Sequence, residues 1–148
     1  MSAVLSLGSN LGDRLGHLRR GLSFLDPVTV SPVYESAPWG EVEQGDYLNV
    51  VAVCAFDAAE AWRRAVAAET AAGRTRDIRW GPRTLDVDVV WADGSDPDLV
   101  LPHPHAHERA FVLVPWLDDD PLAVLPGYGA VSTLPVDRSS VRLVGALV

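Results

Sequence analysis

The sequence contains no lysine, so all 12 of its Lys-plus-Arg positions are arginine. That excludes a phosphate loop of the Walker type, which needs a lysine on the phosphates. No G-x-G-x-x-G dinucleotide fingerprint is present either. Any nucleotide must therefore be held by arginine, histidine and backbone groups. Cysteine is almost absent: Cys54 stands alone in an apolar run, and no disulfide can form within the chain. This is the expected state in a reducing compartment, and Cys54 reads as a small buried core residue. Long apolar runs are missing, because no stretch approaches the roughly 18–20 residues that a spanning helix needs. Met1 to Leu7 carries no basic n-region, so no secretory leader is expected. A soluble, cytoplasmic protein with no membrane partner follows. Basic charge is scarce, with 20 acidic residues giving a net charge of -8. That balance argues against nucleic acid as a partner, while leaving room for a local basic pocket.

What remains is ordinary globular composition, 48% apolar and 22% charged, which excludes intrinsic disorder. A chain of 148 residues is expected to form one domain, residues 1–148, acting as a monomer.

Hydrophobic periodicity divides the chain. Ala3 to Leu7 is a buried strand ending at Gly8-Ser9-Asn10. Leu11, Leu15, Leu18, Leu22 and Leu25 step by three and four, an amphipathic helix with Asn10 as its N-cap and Asp13 at N3. Val28 to Tyr34 is a strand in which Pro32 marks an edge or bulge. Tyr47 to Phe56 is a second, antiparallel strand. Asp57 caps an Ala-rich helix over residues 58–72, which Gly73 ends. Thr84 to Trp91 alternates as a strand with one polar face, and a short helix is expected over His107 to Leu117. Val141 to Val148 is a candidate edge strand. The order is βαββαβ with a C-terminal extension, an α+β, ferredoxin-like pattern with an antiparallel sheet and two helices on one face.

The chemistry gathers between Arg74 and Val90. Asp86 and Asp88 are two apart on a predicted strand, so both carboxylates project from one face. Two such carboxylates repel unless a cation lies between them. Oxygen ligands suit Mg²⁺, which takes one or two carboxylates together with substrate phosphates. Four arginines, Arg74, Arg76, Arg79 and Arg83, lie in the loop feeding this strand. Simple surface charge balance is the plain alternative. An anion-binding cluster is favoured, since the arginine fork donates two bonds to phosphate oxygens. Metal plus arginine clamp is the recurring equipment of phosphoryl transfer. His103, His105 and His107 alternate, but Pro102 and Pro104 break the run, which reads as a polar loop with one or two functional histidines. Trp39 and Trp80 lie in polar loops, where aromatics often cover flat ligands.

At these residues the chain resembles a known family. Arg79-Trp80-Gly81-Pro82-Arg83-Thr84-Leu85-Asp86-Val87-Asp88-Val89-Val90 is similar to the signature of 6-hydroxymethyl-7,8-dihydropterin pyrophosphokinases of folate biosynthesis. Four further segments agree in order: Leu7 to Arg14, Tyr34 to Pro38, Gln44 to Asn49, and Pro102-His103 through His107 to Phe111. The resemblance implies a ferredoxin-like fold and transfer of pyrophosphate from ATP to the pterin hydroxymethyl group, releasing AMP. It implies that Asp86 and Asp88 hold two Mg²⁺ ions. It implies that Tyr47 and Phe111 stack on the pterin, that Asn49 reads its edge, and that backbone groups of Ser36, Ala37 and Trp39 assist. Arg74, Arg76, Trp80, Arg83, His103 and Arg109 are then nucleotide-side residues, with Arg74 and Arg83 also catalytic, and Glu69 lies near the site. The chain departs from the family in a short basic loop between Arg76 and Arg79, in Glu43-Gln44-Gly45 where Asp-Gln-Pro is usual, and in His105 where arginine is common. The tail beyond Asp118 matches nothing clear. Two other classes compete: a metal-dependent nucleotide enzyme on a palm-like fold, and a non-catalytic module that binds a small ligand and has no need of the Asp86 and Asp88 pair.

Overall fold

The structure, a computed structural model, describes residues 1–37, 45–73 and 84–147. In chain order the main elements are β1 (Ala3–Ser9), α1 (Arg14–Leu25), β2 (Thr29–Val30), β3 (Val33–Ser36), β4 (Tyr47–Cys54), α2 (Ala58–Ala71), β5 (Asp86–Ala92), α3 (Ala110–Asp119), β6 (Val124–Leu125), β7 (Gly129–Ala130) and β8 (Val141–Gly145). The fold is α+β. An antiparallel sheet runs in the order β5-β1-β4-β3-β8, with β2 also paired to β4.

Alternate strand residues point to opposite faces, and each face carries its own core. On one, Ala3, Leu5 and Leu7 join Val50 and Val89 beneath Leu18, Leu22 and Leu25 of α1 and Ala61, Ala65 and Ala68 of α2. Gly21 allows α1 to lie close to the sheet, because a Cβ there would come within 2.9 Å of both Leu7 and Leu85. On the other face, Val4, Val51 and Val90 pack under Val112, Leu113 and Trp116 of α3, together with Ala123, Leu125 and Val131.

Several boundaries differ from the sequence expectation. α1 begins at Arg14, and its N-cap is Asp13, whose carboxylate accepts from Gly16 N. Asn10 does not cap it: the Asn10 amide donates to Gly45 O at 3.1 Å instead. Leu11 therefore lies outside the helix and is 50% exposed. The Val28–Tyr34 strand is split into β2 and β3 at Ser31-Pro32. Pro32 has no N–H to give a ladder, and Ser31 Oγ accepts from Val51 N at 2.9 Å across the break. The helix expected from His107 is two pieces, a 3-10 turn over Ala106–Glu108 and then α3, which runs on through Pro115. This third helix covers the face opposite α1 and α2. The Asp57 cap of α2 and the edge position of β8 stand as the sequence suggests. Among the described residues no helix is long and apolar enough to cross a membrane.

Candidate active site

The face under α3 changes character along the strands. At the Val4 and Val90 end it is apolar and roofed by α3. One step further, Asp88 pairs with Ser6, which pairs with Val51. A further step places Asp86, Gly8, Asn49 and Tyr34 in one row across four strands. Beyond it Tyr47 pairs with Ser36 and Ser36 with Val141. Directly paired residues share a face, so the carboxylates, the amide and the Tyr47 ring all project from this side. Asp86 and Asp88 are roughly 6.7 Å apart along the strand, and both are partly exposed.

Gly8 lies between the acidic strand and the aromatic one. A Cβ on it would stand 3.1 Å from the Tyr47 ring and 3.3 Å from Asn49 Oδ1. The missing side chain lets the Tyr47 ring and Asn49 Oδ1 close in over Gly8, with Asp86 on the strand at its other side. Asn49 is 2% exposed. Its Nδ2 donates to Ser36 Oγ at 2.8 Å and to Tyr34 O at 3.3 Å. With the amide nitrogen so engaged, Oδ1 is left as the acceptor and is turned toward Gly8.

The acidic strand is fixed from three directions. In β5 the pairing with β1 shifts register between Val4 and Leu5, leaving Val90 as an extra residue. The carbonyl of Val90 accepts from His103 N at 2.9 Å, which seats the histidine against β5. His103 Nδ1 accepts from His105 N at 3.2 Å, so the neutral ring carries its proton on Nε2, 3.9 Å from Asp88 Oδ1. Burial and the neighbouring Arg109 push the His103 pKa down to about 4, so it is neutral near pH 7. Arg109, 6% exposed, donates from Nη1 to Asp88 Oδ2 at 3.3 Å and lies 5.4 Å from the Phe111 ring centroid. From α2, the buried Glu69 carboxylate accepts from Val87 N at 2.8 Å, between the two aspartates.

The donor set suits a hard divalent cation. Two aspartates share one face, and among the described residues no group of three or more His, Cys, Asp or Glu side chains is placed to hold a metal. Mg²⁺ is bound in this way, through one or two carboxylates with waters and substrate phosphates completing its shell. Bonding to Arg109 engages only part of the Asp88 carboxylate, which has about four lone-pair positions. The other histidines have different partners: His105 meets Glu108 at 3.0 Å, and His107 stacks on Tyr128 with ring centroids 4.4 Å apart.

The structure thus gathers Asp86, Asp88, Tyr47, Asn49 and Ser36 on one sheet face, with Glu69, His103 and Arg109 set against the acidic strand. Ser36, Ala37, Arg109 and Phe111 line one cavity. Trp39, Arg74, Arg76, Trp80 and Arg83 lie outside the described residues. Gly8, Asn10 and Arg14 were not singled out for the site by spacing. Arg14 bonds Glu35 at 2.9 Å and Asp46 O at 3.0 Å, so with Asn10 it fastens the chain just before Tyr47. Their sequence signal is the Leu7 to Arg14 segment, at the end of β1, which resembles the family.

Residues 4–121 match the family model of 7,8-dihydro-6-hydroxymethylpterin-pyrophosphokinase (HPPK). The chain is 47% identical over 165 residues to the 2-amino-4-hydroxy-6-hydroxymethyldihydropteridine pyrophosphokinase of Mycobacterium tuberculosis (strain ATCC 25618 / H37Rv), covering 95% of this chain and 88% of that one. The protein of the same name from Bacillus subtilis (strain 168) is 36% identical over 127 residues, covering 76% of this chain and 74% of that one. Among solved structures, Plasmodium falciparum HPPK-DHPS A437G with STZ-DHP superposes with a TM-score of 0.66 at 11% identity, over 90% of this chain. The chain spans 44% of the length of that structure, so this likeness concerns the fold alone.

Proposed function

The chain belongs to the 7,8-dihydro-6-hydroxymethylpterin-pyrophosphokinase family and transfers pyrophosphate from ATP to 6-hydroxymethyl-7,8-dihydropterin, and we propose that the sheet face around Gly8 is where the two substrates meet. One observation carries this assignment: the sheet row Asp86–Gly8–Asn49, with the acidic pair on one side of Gly8 and Tyr47 and Asn49 on the other. The reaction belongs to folate biosynthesis and uses ATP with metal ions. We assign two Mg²⁺ ions to Asp86 and Asp88, on the basis of the sheet face that the two carboxylates share. Bound there, Mg²⁺ supplies charge neutralisation to the triphosphate.

The chain's own residues supply the rest. Arg109 holds the Asp88 carboxylate in orientation, the neutral His103 ring lies 3.9 Å from it, and Glu69 holds the backbone between the two aspartates. Tyr47 and Phe111 clamp the pterin ring, and Asn49 Oδ1 accepts from its polar edge, supported by Ser36, Ala37 and Trp39. Stacking suits a flat, polar heterocycle. Arg74, Arg76, Trp80 and Arg83 contact the nucleotide, with Arg74 and Arg83 also stabilising charge that develops during transfer. The strand order and the two helices on one face support the ferredoxin-like assignment of residues 3–92. We read residues 1–148 as one pyrophosphokinase domain, a monomer of the cytoplasm.

Product analysis tests the reaction. Protein, ATP, Mg²⁺ and the hydroxymethyldihydropterin are incubated and the nucleotides separated. AMP is expected only with pterin present, one per diphosphorylated pterin. ADP in place of AMP, or AMP formed equally without pterin, would overturn the assignment.

A further inference from the structure

The matched family segment ends at residue 121, yet the chain returns to the site after it. Residues 138–140 form a 3-10 turn, and Val141 then enters the sheet opposite Ser36. The cross-strand row is therefore Tyr47–Ser36–Val141. All three side chains share the face that carries the acidic pair, and Val141 stands two strand spacings, roughly 9.6 Å, from Tyr47. Beside this row is a cavity of about 260 Å³. Its lining joins Ser36, Ala37, Glu108, Arg109 and Phe111 to Asp137, Ser140 and Val141 of the C-terminal segment. The volume falls below the roughly 300–1,000 Å³ of pockets for drug-sized ligands, so the cavity suits one small bicyclic ring and little more.

The C-terminal part of this lining is built to stay in place. Ser139 N and Ser140 Oγ both bond back to Asp137, at 3.0 Å to Oδ1 and 2.6 Å to its carbonyl. Arg142, the next residue after Val141, is paired with Glu35 of β3, and Glu35 is also held by Arg14 at 2.9 Å. The turn and the start of β8 are thus tied to the strand that carries Ser36.

We propose that Val141 and Ser140, from the C-terminal segment, form the outer wall of the pterin cleft and set the size of ring that it accepts. This rests on the assignment of the Tyr47–Phe111 cleft to the pterin. The wall touches the ring and not the transferred phosphoryl group, so it acts on pterin affinity and leaves the chemical step alone. Where a ring packs on an apolar side chain such as Val141, one methylene changes discrimination by roughly 10–200-fold.

Val141→Phe and Ser140→Leu each intrude on the cavity, the second from the turn without disturbing the sheet. Steady-state kinetics of each variant are compared with the unaltered enzyme, varying pterin and ATP separately. KM for pterin is expected to rise roughly tenfold or more, with KM for ATP and kcat within about threefold. Phe111→Ala serves as the control for the cleft itself. Unchanged pterin KM in Ser140→Leu and in folded Val141→Phe, with a raised KM in Phe111→Ala, overturns the wall and leaves the cleft assignment standing. Unchanged KM in all three overturns the cleft assignment. Equal losses for both substrates, with a lowered melting temperature, also overturn the wall, since a purely structural role gives that pattern.

Discussion

Removing the Glu69 carboxylate is expected to damage catalysis by loosening one strand. β5 is the outer strand of the sheet beside β1, so the N–H of Val87, which pairs with Leu7 in the register, points away from the ladder and toward α2. Glu69, 7% exposed, accepts it at 2.8 Å. A hydrogen bond to an ionised acceptor is worth about 1.5–3 kcal/mol, and an orphaned buried N–H costs about 1–3 kcal/mol. Glu69→Ala should therefore cost about 2–3 kcal/mol, within the 5–15 kcal/mol typical of a folded domain. For a chain of this size that is a fall in melting temperature of roughly 4–12 °C. Val87 lies between the two carboxylates, and a displacement of about 1 Å at a reacting centre can cost 10²-fold. We expect kcat/KM to fall about 10²-fold in Glu69→Ala. Glu69→Gln retains an acceptor oxygen at the same reach and should recover most of both losses. Thermal melts and steady-state kinetics on the three proteins decide it. A melting temperature that falls while kcat/KM stays at its original value would show that the bond only stabilises the strand. No change in either would refute the reasoning altogether.

Two further outcomes follow from the same face of the sheet. Gly8→Val places a branched side chain where even a bare Cβ is 3.1 Å from the Tyr47 ring; pterin titration should show affinity lowered at least tenfold, and normal affinity in a folded variant contradicts the placement of the pterin beside Gly8. The Tyr34 hydroxyl bonds Asp118 at 2.6 Å, and burial, then that carboxylate, push its pKa up to about 12 from 10.0. A raised folded pKa means stability that is complete below pH 10 and lost as pH rises toward 12. Urea denaturation should accordingly show a steeper alkaline loss in the unaltered protein than in Tyr34→Phe, and parallel losses would argue against this contact.

Local pattern makes part of this molecule legible. Asp57 and the alanines behind it define α2, and the spacing of Asp86 and Asp88 defines a shared face, because both depend only on residues within a few positions. What fails is whatever long-range contacts decide. Asn10 is a favoured cap residue, but its amide is taken by Gly45 35 positions away, and Asp13 caps instead. The two-piece approach to α3 depends on His103 N finding the Val90 carbonyl at the β5 irregularity. No periodicity within residues 100–110 encodes that contact. The tail was opaque for the same reason: Val141 matters because it faces Ser36, more than a hundred residues earlier.

The division of labour between the two sheet faces explains why so acidic a chain can hold a polyanionic substrate. The face under α1 and α2 is apolar along its length, so the fold does not depend on the acidic pair. Among the described residues the opposite face gathers its buried apolar core, Val4, Val51 and Val90, under α3. Its remaining rows are free to carry two carboxylates, a glycine gap and an amide. Clustered carboxylates destabilise a site unless cations answer them, and the one cation directly on Asp88 among the described residues is Arg109, which is buried. One arginine cannot neutralise two aspartates and a triphosphate together. The missing positive charge must arrive with the substrate as metal, or from the arginines at positions 74 to 83. ATP binding that persists in excess chelator, with affinity undiminished, would therefore show that the arginines at positions 74 to 83, and not metal on Asp86 and Asp88, supply that charge.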